Sequence, residues 1–159
     1  QTVEELLATL QPQFRRTAHQ VELDIAPGLE LDSYPGPLEQ VIANLIDNSL
    51  THGFAGVETG RIQLQAQVVD PARIALRYTD DGTGIPTAIL NRIFEPFFTT
   101  RLGQGGSGLG LYIVYNLVTG VLGGQIQVKN APGRGSAFEL TLPVIAPSSR
   151  PQATSEIAP

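Results

Sequence analysis

Between Leu38 and Leu50 the apolar residues Leu38, Val41, Ile42, Leu45, Ile46 and Leu50 recur at i, i+3 and i+4, and from Arg61 onward that period gives way to alternation. The first pattern lines one face of a helix from Pro37 to about Thr51, with Pro37 suited to its first turn. The second predicts strands from Arg61 to Val69 and from Arg73 to Thr79, joined as a hairpin by the turn chemistry of Asp70-Pro71. Gln125 to Asn130 and Ser136 to Leu142 alternate again around Pro132-Gly133, a second hairpin. Helices and antiparallel hairpins that follow one another in blocks do not build a doubly wound sheet. They predict an α+β two-layer sandwich, a mixed, mostly antiparallel sheet with helices on one face.

Weaker signals complete the map. Residues 2 to 10 carry Val3, Leu6, Leu7 and Leu10 at helical spacing and stop before Pro12. Val21, Leu23 and Ile25 alternate as a strand closed by Pro27-Gly28. A helix is predicted from about Gly108 to Leu122, while residues 80 to 110 read as a long loop with at most a turn or two around Ile89 to Ile93. After Pro143 the chain turns to Pro, Ser, Ala and Gln without a period. Residues 1 to 146 are therefore expected to form one domain, and residues 147 to 159 a disordered tail or linker.

Composition narrows the function classes. With 42% hydrophobic and 16% charged residues the chain has the make-up of a packed globular domain. The net charge of -5 and the scattering of the ten basic residues argue against a nucleic-acid partner. No apolar run approaches the roughly 18 residues of a membrane span, and no signal peptide opens the chain, so no membrane contact is expected. The absence of Cys removes disulfides and thiolate metal sites and suits a cytoplasmic location. A start at Gln1 and the absence of Met read as a piece of a longer protein. An anionic ligand would have to be held by backbone N–H groups, helix N-termini, a metal or single arginines.

Four clusters carry the candidate chemistry. Asn44 and Asn48 sit four residues apart on the amphipathic helix, so both amides project from one side, and His52 continues the row. Asn is a poor helix former that gains from a partner, although two solvated amides would read the same way. Asp80-Asp81-Gly82-Thr83-Gly84-Ile85-Pro86 follows a strand directly. Its two glycines let backbone approach a ligand, and its carboxylate can accept from an amino group, or the segment is simply a turn. Phe94, Phe97 and Phe98 place half of the six Phe residues within five positions of a loop, for core packing or for docking in one state and lifting in another. Finally, eight of the 17 glycines lie between 103 and 124, and the run Gly103 to Gly110 feeds a helix. Such a run is a phosphate-binding device or a hinge. It is not a Walker A loop, since no Lys-Ser/Thr follows.

In this order and spacing the clusters resemble the N box (Asn44 to Asn48), first glycine box (Asp80 to Gly84), F box (Phe94 to Phe98) and second glycine box (Gly106 to Gly110) of the histidine kinase catalytic domain, within the gyrase and heat-shock chaperone ATPase superfamily. The match covers nearly all of residues 1 to 143. The resemblance implies a Bergerat-type ATP-binding fold with ATP and Mg2+ as cofactors. It implies that Asn48 ligates the Mg2+ bridging the phosphates and that Asn44 sits beside the nucleotide. Asp80 would accept the adenine amino hydrogen, Gly82, Gly84 and Ile85 would shape the base pocket, and residues 95 to 107 would form a lid. Gly106, Gly108, Leu109 and Gly110 would wrap the phosphates, with Arg101 as a lid contact. Many relatives carry Lys or Arg three residues after the Mg2+-binding Asn. Here Thr51 stands there, and the neighbouring His52 either replaces that phosphate contact or caps and packs.

Superfamily members that hydrolyse ATP place a Glu four residues before that Asn, as general base for water. Asn44 occupies the position, and a neutral amide cannot take the proton. The resemblance therefore implies phosphoryl transfer by a two-component sensor histidine kinase. The acceptor would be a histidine on the dimerisation domain of the same full-length kinase, with a response regulator downstream. Neither His19, just before a strand, nor His52, at a helix end, lies in a helical hairpin of the kind that carries that histidine. An anti-sigma-type serine kinase and a non-catalytic nucleotide-sensing module are the alternatives.

Overall fold

The computed structural model describes residues 1–15, 18–98, 108–131 and 135–147. Five strands form one sheet in the order β1-β2-β3-β5-β4: β1 (Gln20–Ile25), β2 (Arg61–Asp70), β3 (Arg73–Asp80), β4 (Gln125–Ala131) and β5 (Gly135–Pro143). β1 runs parallel to β2, and every other pairing is antiparallel. Both expected hairpins are present. Register explains how the pattern of alternation becomes a core: Ile62, Leu64 and Ala66 of β2 face Asp80, Tyr78 and Leu76 of β3. Those in turn face Ser136, Phe138 and Leu140 of β5. All of these are buried on one face. The opposite face carries the polar row Asp24, Gln65, Arg77, Glu139 and Gln127, one residue from each strand.

The helices cover the apolar face. α1 (Val3–Thr9) opens on a capping box in which Thr2 Oγ1 accepts from the Glu5 N–H at 3.1 Å and Glu5 Oε2 accepts from the Thr2 N–H at 2.9 Å. α2 (Gln11–Arg15) was not expected, because Pro12 reads as a stop; it sits instead in the first turn, where its missing N–H costs nothing. α3 (Pro35–Asn48) buries Leu38, Val41, Ile42, Leu45 and Ile46, the periodic face read from the sequence. α4 (Gly110–Asn116) packs on α3 and buries Val114.

Both α3 and α4 end in a widened turn. After α3, Ser49–Gly53 is closed by the Phe54 N–H donating to the Ser49 carbonyl at 2.8 Å, and after α4, Leu117–Val121 is closed by Leu122 N–H to Leu117 O at 2.8 Å. An extra residue in the hydrogen-bonded ring re-aims whatever follows, and such turns recur at functional sites. Past β5 the chain remains attached: the Val144 N–H reaches Ala72 O and the Ala146 N–H reaches Asp32 O, both at 2.8 Å, and the Tyr34 hydroxyl donates to Pro147 O at 2.6 Å. The expected tail lies outside the described residues from position 148 on. Among the described residues no helix is long and apolar enough to cross a membrane.

Candidate functional site

Asp80 ends β3 and is 5% exposed, at the floor of a cleft of about 490 Å³. A buried carboxylate needs hydrogen-bond donors around it, and this one has three. Ser49 Oγ donates to Oδ2 at 2.7 Å, Ser136 Oγ to the same oxygen at 3.3 Å, and the Gly82 N–H to Oδ1 at 3.0 Å. An ionised carboxylate has about four lone-pair positions, so one on Oδ1 is left for a ligand. Behind Ser49 stands Tyr78, its hydroxyl 2.8 Å from Ser49 Oγ. Burial pushes the Tyr78 ionisation far above its ordinary range, helped by the negative charge of Asp80.

The glycines beside Asp80 serve packing as well as approach. A Cβ on Gly82 would lie 2.1 Å from the Gly53 carbonyl oxygen, and the Thr83 N–H donates to that same oxygen at 2.8 Å. Gly53 itself has only 3.1 Å between an added Cβ and Asp80 Oδ2. Gly82 is thus buried behind the cleft, held against the wide turn after α3. Gly84 lines the cleft with φ at 76°. Ile85 lines it too, and its backbone is clamped by the Asn130 side chain of β4, whose Oδ1 accepts from the Ile85 N–H at 2.7 Å and whose Nδ2 donates to the Ile85 carbonyl.

The rest of the wall is divided by chemistry. Asn48, His52, Thr83 and Ser136 are the other polar groups, while Ala55, Pro86, Ile89, Ile93, Phe98 and Leu111 supply apolar surface. A flat heteroaromatic ring with one donor aimed at Asp80 fits a site of that make-up. The three clustered Phe residues part company. Phe94 packs edge-on against Phe138 with centroids 6.4 Å apart, Phe98 lines the cleft with Arg92 over its ring, and Phe97 is 72% exposed with φ at 64°. Core packing and exposure are therefore both present in one segment. Gly108 has φ at 74°, and a Cβ there would meet the Phe97 backbone at 2.4 Å, which ties this segment to the approach to α4.

The remaining expected residues divide as follows. Asn44 does not line the cleft: its Nδ2 donates to the Gly110 carbonyl at 3.4 Å and its Oδ1 accepts from Gln40 at 3.0 Å, so it joins α3 to the start of α4. Leu109 precedes α4, and Gly110 begins it with no atom near an added Cβ. Arg101 and Gly106 lie outside the described residues. Sequence reading missed Ser49, Tyr78, Ser136, Asn130 and Leu111 as site residues; of these Ser49, adjoining Asn48, and Leu111, adjoining Gly110, lay next to a motif.

Asn48 fits a magnesium ion. Its amide lines the cleft, partly buried, with no hydrogen bond to any described residue, and its carbonyl oxygen is the hard donor that Mg2+ takes. Among the described residues no group of three or more His, Cys, Asp or Glu side chains could hold a metal by itself. Mg2+ usually keeps several waters and is bound through one or two carboxylates plus substrate phosphates, and here the Asn48 amide oxygen would stand in for the carboxylate.

Residues 34–146 match the family model described as histidine kinase-, DNA gyrase B- and HSP90-like ATPase. The chain belongs to that family. Within the family it is 40% identical over 131 residues to the alginate biosynthesis sensor protein KinB of Pseudomonas aeruginosa, a match covering 82% of this chain and 21% of KinB. The chain thus spans about a fifth of the length of that relative. Among solved structures, the mycobacterial sensor histidine kinase MprB is 29% identical with a TM-score of 0.73, covering 91% of this chain and 95% of that one. Full-length ShkA in complex with AMPPNP is 25% identical with a TM-score of 0.72, covering 92% of this chain and 30% of that one. The histidine kinase ThkA in complex with the response regulator TrrA shares the fold at 23% identity and a TM-score of 0.69, covering 90% and 40%. The α+β architecture read from the sequence is the fold of these catalytic domains.

Proposed function

We propose that this chain, as one unit of residues 1 to 146, is the ATP-binding catalytic domain of a two-component sensor histidine kinase. It would donate the γ-phosphate of ATP to a histidine on a separate dimerisation domain. The observation that carries the reading is the cleft itself, an apolar slot with one open acceptor position on Asp80 at its floor and, at its side, the Asn48 amide, which has no hydrogen bond to any described residue. Adenine offers its amino hydrogen to Asp80 and its faces to Ile85, Ile89 and Leu111. The triphosphate would then run towards Asn48 and His52, beside Gly108 and Gly110, with Gly106 and Arg101, which lie outside the described residues, as further candidate contacts. Mg2+ held by Asn48 and phosphate oxygens would neutralise charge on the transferring group.

The chain's own residues favour transfer over hydrolysis. Asn44 can neither accept a proton from water nor reach into the cleft, since its amide is engaged with Gly110 and Gln40. An imidazole nitrogen needs no such base to attack phosphorus, and catalysis reduces to positioning and charge neutralisation. Use of ATP sets the domain in the cytoplasm. A response regulator would take the phosphate next.

The test is radiolabelled ATP with the chain alone, with a cognate helical hairpin domain added, and with Asn48→Ala. Label should pass to the hairpin histidine, only with Mg2+, and not in the Asn48 variant. Label on a serine, or rapid phosphate release without the partner, would overturn the reading.

A further inference from the structure

Behind Asp80 lies a layer of hydroxyl groups that holding a base does not by itself require. Tyr78 precedes Asp80 by two residues on β3, so the pleat turns both side chains to the same face. Ser49 is the first residue past α3, fully buried, as is Tyr78. The contact from Ser49 Oγ to Asp80 Oδ2, at 2.7 Å, uses the only hydrogen that hydroxyl has, because an ionised carboxylate can only accept. The 2.8 Å contact between Ser49 and Tyr78 must therefore run the other way, with the Tyr78 O–H donating to Ser49 Oγ. A serine in a helical turn has a competing use for its hydrogen, the carbonyl about one turn back. With Tyr78 donating to it, Ser49 is fixed towards Asp80 instead.

We infer that Tyr78 is a positioning residue for base recognition. Through Ser49 it holds the Asp80 carboxylate with Oδ2 turned inward and one lone pair of Oδ1 open to the exocyclic amino group of a 6-aminopurine. It thereby sets the preference for that base over its 6-oxo counterpart. The inference rests on the nucleotide-binding reading above and deepens it. Losing the relay would disturb the amino-group contact while leaving the apolar walls and the phosphate end alone. A packing role would instead weaken both kinds of nucleotide together.

The experiment is calorimetric titration of ATP and of inosine triphosphate, each with Mg2+, against the wild-type chain, Tyr78→Phe, Ser49→Ala and Asp80→Asn, with thermal unfolding alongside. Tyr78→Phe should weaken ATP about 3- to 10-fold, the loss of roughly one hydrogen bond, and move inosine triphosphate by less than about 2-fold. Ser49→Ala should compress the ratio in the same way, at a lower unfolding temperature, since it strands the Tyr78 hydroxyl. Equal weakening of both nucleotides in Tyr78→Phe, or no change in either, would overturn the relay while leaving ATP binding in place. If the wild type does not prefer ATP, or Asp80→Asn binds ATP as well as the wild type does, base recognition by Asp80 falls and the relay with it.

Discussion

Asp80 has three of about four acceptor positions filled from within the protein, so its selectivity depends on the one that remains. Guanine would turn a carbonyl towards it, leaving a buried lone pair unmet. ATP should therefore bind about 5- to 150-fold more tightly than GTP, the equivalent of about 1 to 3 kcal/mol, and competition titrations would measure the ratio. Tyr78 makes a prediction at the alkaline end. Below its ordinary value of about 10 both the folded and unfolded chains keep its proton; above it the unfolded chain releases the proton and the buried residue does not. Stability should thus be full at neutral pH and fall as pH rises past about 10, and Tyr78→Phe should lose less of it in urea titrations. Asp80 was legible because a carboxylate beside closely spaced glycines at a strand end is a local pattern. Ser49 and Ser136 reach it from 31 and 56 residues away, and a single serine hydroxyl leaves no periodic trace.

Among the elements, the wide turn after α3 governs the site more than the helix itself. It brings the Gly53 carbonyl against Gly82 and sets Gly53 behind Asp80, so the two glycines belong to one contact. Gly82→Ala should cost about 2 kcal/mol or more, because backbone rather than a flexible side chain must give way. Urea unfolding should show a lowered midpoint with an unchanged slope. Gly110→Ala has open space around it in a helical conformation, and should leave the fold as stable or up to about 1 kcal/mol more stable. Helix α3 and both hairpins were legible from periods of 3.6 and 2. The wide turns were not, since the apolar pattern runs on past Asn48 with no break to mark the change in pitch. The parallel pairing of β1 was equally hidden, because alternation fixes a strand's face but not its neighbour.

At the scale of the whole molecule, the cleft is assembled from α3 and the turn after it, the segment beyond β3, residues 85 to 98, the start of α4 and β5. A ligand that touches all of them stabilises the fold as one unit. At a hundred times its dissociation constant, Mg-ATP should add about 2.7 kcal/mol, read as a rise in unfolding temperature that shrinks in Asn48→Ala. The bond from Asn44 to the Gly110 carbonyl also bears on how such a module could change trade. A glutamate at position 44 has no N–H to give that carbonyl, so the hydrogen bond between the two helices would be lost. A single exchange that supplied the base for hydrolysis would thus loosen the helix contact beside the nucleotide. Restoring that contact would need a second, compensating change at the start of α4, so an acid at position 44 and the present helix contact exclude each other.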